Sequence, residues 1–126
     1  MSAFPSRRIV SFTVTMSGVI VGRSELEGRE PASRVVRGRF RPGIGYDLAQ
    51  PVFALYDGAR SDAAALARYR KAREALRLQL TDAAGTPVSF RELHIRPNAD
   101  AKPGATEYVI EIESDDPLIW NAPTSS

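Results

Sequence analysis

The chain has 126 residues, of which 43% are hydrophobic and 25% charged, with 17 basic and 15 acidic side chains. These values predict one globular domain over residues 1–126, and they argue against a disordered or fibrous chain. The residues after Trp120, 121–126, are expected to form a flexible tail. The lack of cysteine excludes disulfide bonds, thiol nucleophiles and cysteine metal ligands.

The first elements in the chain predict a β-hairpin. Val10, Phe12 and Val14 alternate with polar residues, as in a half-buried strand, and a turn at 16–18 leads into a second short strand at 19–21. The same alternation argues against an export signal, and no window of 18 apolar residues is present to span a membrane. We therefore expect a cytoplasmic location and no membrane partner.

A polar segment follows from Gly22 to Ser33 and contains two glycines and one proline. This composition predicts a surface loop, and loops held on a rigid sheet are common binding sites. The charged residues of this segment are candidate contacts with a partner. They are Glu25, Glu27 and Arg29.

A row of arginines then occupies every second position of a predicted strand, at Arg37, Arg39 and Arg41. Residues two apart in a strand point the same way, so the row is a positive surface opposite the apolar side chains between them. Near the other end of the chain an acidic row has the same period: Glu107, Glu111 and Glu113. The arginines are therefore either a binding surface or half of a charge ladder across neighbouring strands, and the ladder is favoured.

Two helices are predicted in the middle of the chain. Between residues 45 and 58 apolar side chains recur at helical spacing, with Pro51 either in the first turn or at a kink. Ser61 is expected to cap the second helix, whose apolar stripe includes Tyr69. The other side of this helix is basic. It carries Arg68, Arg70 and Lys71, with Arg73 near the border of the stripe.

The C-terminal part returns to a strand period. Leucines alternate over 76–80, a turn at 82–85 leads into a return strand, and a change of phase there indicates a bulge near Arg91-Glu92. After a loop at 96–105, the last strand covers 106–113, and Trp120 is expected to fold back onto the core.

Together these elements predict an α+β fold. It has an antiparallel sheet of about five to six strands, built from hairpins and packed on one face by one or two helices. The outer strands of such a sheet have unpaired backbone groups, so self-association through strand edges is a further expectation.

Motifs for chemistry are weak. His94 is the single histidine, and a histidine acts as a general base where a carboxylate orients it. A small hydrolase-like enzyme would draw that carboxylate from Glu25, Glu27 or Asp57. Because no catalytic, nucleotide-binding or metal motif is present, we predict no catalytic residue, no cofactor and no metal site.

Several short motifs resemble those of a small family of uncharacterised bacterial proteins. They are Ser24-Glu25-Leu26-Glu27, Arg29-Glu30-Pro31, Gly38-Arg39-Phe40-Arg41-Pro42, Tyr46, Val52-Phe53 and the closing Asp116-Pro117-Leu118-Ile119-Trp120. Glu30 stands where the family pattern has Asp. The resemblance implies a compact α+β fold and no known activity, so no functional residue is carried over.

The sequence thus favours a small non-enzymatic bacterial binding or accessory module that acts through protein-protein contacts or self-association. The alternative is a nucleic-acid-binding module that uses a basic arginine face, which the sequence pI of 9.3 supports. Against it, no basic run exceeds two residues, and Phe40 lies on the side of its strand opposite the arginines. The second alternative is the enzyme with a carboxylate and His94.

Overall fold

The computed structural model describes residues 11–98 and 107–122, without the side chain of Asp57. Within these ranges it is an α+β fold, in which an antiparallel sheet curls into a half-barrel and three helices accompany it. The strands are β1 (Phe12–Met16), β2 (Val19–Ser24), β3 (Gly28–Glu30), β4 (Val35–Pro42), β5 (Leu78–Thr81), β6 (Pro87–Val88), β7 (Glu92–Pro97) and β8 (Tyr108–Glu113). The helices are α1 (Tyr46–Ala59), α2 (Ala63–Ala75) and α3 (Pro117–Trp120).

The strands lie in the order β6-β5-β1-β2-β4-β8-β7, and β3 pairs with the first part of β4. Every pairing is antiparallel. This confirms the predicted fold class and the hairpin β1-β2, whose turn places Ser17 and Gly18 at positive φ. Because β4 lies beside β8, the arginine row and the acidic row occupy neighbouring strands.

Two predictions about the strands are wrong. The segment Gly22–Ser33 is not one loop, because β2 extends to Ser24 and β3 occupies Gly28–Glu30, where pairing with β4 satisfies backbone groups whatever the side chains are. The change of phase near Arg91-Glu92 is not a bulge. It marks a change of partner, since β6 pairs with β5 whereas β7 pairs with β8.

The core is formed by one side of the curled sheet together with the helices. Its buried members include Phe12, Val14, Val21, Val36, Phe40, Phe53, Tyr69, Leu93, Ile95, Ile110, Ile112 and Ile119. Packing is closest at Gly22, where a Cβ would overlap the ring of Phe40, so this position requires glycine. Burial of a ring such as that of Phe40 contributes roughly 2–3 kcal/mol to folding.

Helix α1 begins on the apolar side of β4. The ring of Tyr46 packs against Phe40 and Tyr108, with centroids 5.6 and 4.9 Å away. Phe40 and the arginine row point to opposite sides of β4, so the start of α1 lies on the side away from the arginines. Pro51 lies inside α1 rather than in its first turn.

Helix α2 borders the edge strand β7. Its N-cap is Asp62, not the predicted Ser61, because the Asp62 carboxylate accepts from the backbone N–H groups of Ala64 and Ala65. At the other end, Arg73 Nη1 donates to the carbonyl oxygen of Leu93 at 3.3 Å. The outer strand at the other edge, β6, is two residues long and begins with proline. Both features oppose strand pairing with a second chain.

The C-terminal residues pack on the core. Asp116 caps α3 by accepting from Leu118 N, and Trp120 Nε1 donates to the carbonyl oxygen of Ser114 at 2.8 Å. The predicted return of Trp120 to the core is confirmed, whereas residues 123–126 of the predicted tail lie outside the described residues. No helix in the described ranges is long and apolar enough to cross a membrane.

Candidate functional site

The structure pairs one member of the arginine row with the acidic row. Arg37 lies directly across from Glu111, and its Nε donates to Glu111 Oε2 at 2.6 Å. The same guanidinium contacts Glu30 on β3. Hydrogen bonds to Glu30 and Glu111 raise the pKa of Arg37 above its usual value. The other acidic residues, Glu107 and Glu113, bond to side chains outside the row.

Arg39 and Arg41, the next members of the row, are not paired with the acidic row. The register places Val109, not a carboxylate, across from Arg39, and the exposed Arg39 side chain forms no ion pair with any residue that the structure describes. Arg41 Nη1 lies 3.4 Å from Glu25 Oε2. In the strand pairing, Arg41 is directly opposite Arg23 on β2. The ladder interpretation therefore holds at Arg37 and fails at Arg39.

Strand pairing adds two arginines to the row. Arg96 on β7 pairs with Val109, which pairs in turn with Arg39, so all three residues share one side of the sheet. Strands are about 4.8 Å apart, which puts Arg39 and Arg96 about 10 Å from each other. We call Arg23, Arg39, Arg41 and Arg96 the arginine face. Within the described ranges, three of its members have no ion pair: Arg23, Arg39 and Arg96.

The sequence analysis missed two members of the arginine face, Arg23 and Arg96. Each is a single basic residue in its own strand, and only the pairings β2-β4 and β7-β8 bring it beside Arg39 and Arg41. The available signal was the strand phase, since Arg23 alternates with buried neighbours as a sheet residue does.

The candidate residues of the polar segment have internal partners. Glu27 Oε2 accepts from the backbone N–H of Arg39 at 3.1 Å. Arg29 donates to the carbonyl oxygens of Trp120 and Ala122, at 3.3 and 2.7 Å. Leu26, directly before Glu27, is fully buried with φ +48°, which fixes a sharp bend in the segment. These contacts fasten the segment to β4 and to the C-terminal residues.

The basic side of α2 also contains both paired and exposed cations. Arg70 and Arg73 bond to the Glu92 carboxylate at 3.2 and 3.0 Å, and Arg73 is only 7% exposed. Arg68 and Lys71 stay exposed. Within the described part of the chain, the helix therefore offers two exposed cations without an ion pair, rather than the predicted group of four.

His94 belongs to a buried polar cluster that joins β7 to both long helices. Its ring stacks on Tyr56 with centroids 3.8 Å apart, and its Nδ1 lies 2.8 Å from the Tyr69 hydroxyl. Its Nε2 lies 3.4 Å from Glu92 Oε1. The Tyr69 hydroxyl proton has two acceptors within reach, His94 Nδ1 at 2.8 Å and the Leu93 carbonyl oxygen at 3.2 Å. The carboxylate at Nε2 favours the neutral tautomer with the proton on Nε2, which leaves Nδ1 as the nearer acceptor.

Burial sets the electrostatics of this cluster. It lowers the pKa of His94 to about 4, and the charge of Arg73 acts in the same direction. It also raises the pKa of the Tyr69 hydroxyl to about 12. Burial raises the pKa of Glu92, but the hydrogen bonds and charges of Arg73 and Arg70 outweigh it, and the net pKa is lowered. At neutral pH the cluster thus holds a neutral histidine and an ion pair.

The cluster has little capacity for general-base chemistry. Both ring nitrogens of His94 have protein partners, and its carboxylate neighbour is Glu92 rather than the predicted Glu25 or Glu27, which lie beside Arg41 and Arg39. A cleft of about 220 Å³ adjoins the cluster. The three carboxylates that line it, those of Glu92, Glu111 and Glu113, are each bonded to an arginine.

No group of three or more metal-ligating side chains is found in residues 11–98 and 107–122. Comparison of the chain with protein-family models, with curated proteins and with solved structures finds no match. The resemblance of its motifs to a small bacterial family therefore stays an expectation. The functional assignment depends on the geometry of the chain itself.

Proposed function

We propose that the protein is a non-enzymatic binding module whose arginine face contacts an acidic surface of another protein. The observation that carries the proposal is the set of arginines on one side of β2, β4 and β7, of which Arg23, Arg39 and Arg96 have no ion pair within the described residues. Arg37, Arg70 and Arg73, which bond to carboxylates outside the arginine face, stabilise the fold. The predicted cytoplasmic location is part of this proposal.

The face is preorganised for an anionic group. Its arginines project from paired strands, and Glu27 holds the backbone of β4 at Arg39 without neutralising the guanidinium. Guanidinium groups bind carboxylates in a planar, bidentate geometry, so a carboxylate between Arg39 and Arg96 would have donors on both sides. The half-exposed Val109 between them offers apolar contact.

An acidic protein surface fits this face better than a nucleic acid. No aromatic side chain stands among the paired residues of the face, whereas single-strand binders stack bases on aromatic rings. Phe40 and Tyr108 pack instead against Tyr46 in the core.

The test uses two fluorescent probes, a poly-glutamate peptide and a single-stranded oligonucleotide. The variant Arg39→Glu/Arg96→Glu removes the unpaired centre of the face, and Arg68→Glu/Lys71→Glu on α2 makes the same change in net charge elsewhere. We expect the first variant to weaken binding of the peptide at least about tenfold and the second to change it less than about twofold, with an affinity that falls as salt is added.

Two results would overturn the proposal. Equal losses in both variants would show that the peptide responds to net charge and not to the arginine face. Tighter binding of the oligonucleotide, lost in Arg39→Glu/Arg96→Glu, would replace the acidic protein by a nucleic acid. Circular dichroism and urea unfolding of both variants establish that the fold is intact.

A further inference from the structure

Helix α1 exposes a line of large apolar side chains to solvent. Ile44, just before the helix, is 88% exposed, Leu48 is 70% exposed and Leu55 is 52% exposed. Leu48 and Leu55 are two turns apart on one side of the helix, and Ile44 lies four residues before Leu48, in the turn that leads into the helix. Pro51 and Gly58, also exposed, complete the spacing along that line. We call these five residues the α1 stripe.

The stripe is additional to the face that α1 already buries. Ala49 and Phe53 are 0 and 1% exposed and anchor the helix on the core. Exposed apolar residues also continue beyond the helix, because Val19, 40% exposed, adjoins Gly45. Scattered apolar residues are ordinary on a protein surface, but several on one line mark a contact surface.

We propose that the α1 stripe is a dimer interface, in which α1 packs antiparallel against α1 of a second copy of this chain. This inference is independent of the proposed function, because no residue of the arginine face takes part. A two-fold axis near Pro51 places Leu48 of one copy against Leu55 of the other. The spacing of the stripe is that of a coiled-coil seam, which supports close packing of two helices.

The order of side-chain sizes along the stripe points to a second copy in this orientation. The bulky residues Ile44 and Leu48 lie at its N-terminal end, and Gly58 lies at its C-terminal end with open space around its Cβ position. In an antiparallel pair the Ile44 end of each copy covers the Gly58 end of the other. Parallel pairing would put the bulky ends together and leave a gap between the glycines.

The lack of charge and the small size of the α1 stripe are consistent with a reversible contact between two copies of the chain. No residue of the stripe is charged, so two copies meet without repulsion, and the stripe offers no ionic group to an acidic or basic partner. The large exposed apolar side chains are few, Val19, Ile44, Leu48 and Leu55, whereas stable interfaces bury roughly 20–30 residues on each side. The dimer is therefore expected to be reversible.

The first experiment is analytical ultracentrifugation of the full chain over a range of concentrations. We expect a reversible dimer for the unmodified protein, and for Leu48→Glu/Leu55→Glu a dissociation constant at least about a hundredfold higher. The control, Ala64→Glu/Ala67→Glu, adds the same charges at exposed positions of α2 and should dimerise like the unmodified chain. An unmodified chain that stays monomeric at millimolar concentration would overturn the proposal, as would equal dissociation in the control.

The second experiment tests the orientation through disulfide formation, which is specific because the chain has no cysteine. In the antiparallel pair Leu48→Cys and Leu55→Cys lie opposite each other. Two copies of Leu48→Cys are separated by about 10 Å along the helix axis, beyond disulfide reach. Mixed oxidation should therefore cross-link Leu48→Cys with Leu55→Cys and neither variant with itself. Efficient self-linking of Leu48→Cys would contradict the antiparallel arrangement.

Discussion

The border between α2 and β7 and the arginine face show opposite uses of one residue type. At the border, Arg73 is buried and bonds to the Glu92 carboxylate and the Leu93 carbonyl oxygen. On the arginine face, Arg39 and Arg96 extend from paired strands without a carboxylate partner in the described part of the chain. An arginine of this protein therefore stabilises the fold where a carboxylate lies within its reach, and it stays available for binding where none does.

Removal of the buried arginine at the border, Arg73, is expected to have the largest effect on stability. Arg73→Ala removes the bonds to Glu92 and Leu93 and leaves a half-buried carboxylate with Arg70 alone, so we expect a loss of roughly 3 kcal/mol in the free energy of unfolding. Arg96→Ala should change it by less than about 0.5 kcal/mol. Urea denaturation measures both, and similar losses would contradict the distinction.

The buried cluster at the border also makes the stability of the protein depend on pH, through His94. Its pKa is about 4 in the fold and about 6.5 in the unfolded chain, so the unfolded state binds a proton first as pH falls and stability decreases. We expect a loss of roughly 2 kcal/mol from pH 7 to pH 5, continuing down to about pH 4. The sequence has one histidine, so no second imidazole titrates in this range.

The control for this pH effect is His94→Gln, which lacks the titrating ring. Its free energy of unfolding, lower than that of the unmodified chain at pH 7, should be nearly flat between pH 5 and pH 7 in urea titrations at fixed ionic strength. If the free energy of unfolding of His94→Gln still fell between pH 7 and pH 5, the pH dependence would belong to another group.

A smaller effect is expected at Arg37, the paired member of the row. Its ion pairs with Glu30 and Glu111 are partly exposed, so Arg37→Ala should lower the free energy of unfolding by about 0.5–1 kcal/mol. The loss should shrink as salt is added, because exposed ion pairs are screened. A loss as large as that of Arg73→Ala would contradict the weak contribution expected of the Arg37 ion pairs.

Much of the fold could be predicted from the sequence. Alternation over β1 and β2 with a Ser17-Gly18 turn specified the hairpin, and the apolar stripe around Tyr69 specified α2. These signals are local, because they depend on the period of a single element. The division of the return strand at 89–91 was not predictable in this way, since pairing of β7 with β8 involves residues far apart in the chain.

The candidate site was predictable only in part. The sequence identified the arginine row, but a two-residue difference in the register of β8 decides whether Arg39 lies across from Val109 or from a carboxylate, Glu107 or Glu111. Arg73 bordered the apolar stripe in the sequence, and its burial depends on Glu92 reaching it from another element. Arg23 and Arg96 joined the row through strand order, which no single-strand pattern encodes.

The most direct test compares two neighbours in the row, Arg37→Ala and Arg39→Ala, each removing one positive charge from β4. Binding of the poly-glutamate probe is measured for both by fluorescence anisotropy under the same salt conditions. The division of the row predicts that Arg39→Ala weakens binding by about threefold or more with unchanged stability, whereas Arg37→Ala leaves binding within about 1.5-fold. Weaker binding in Arg37→Ala than in Arg39→Ala would contradict it.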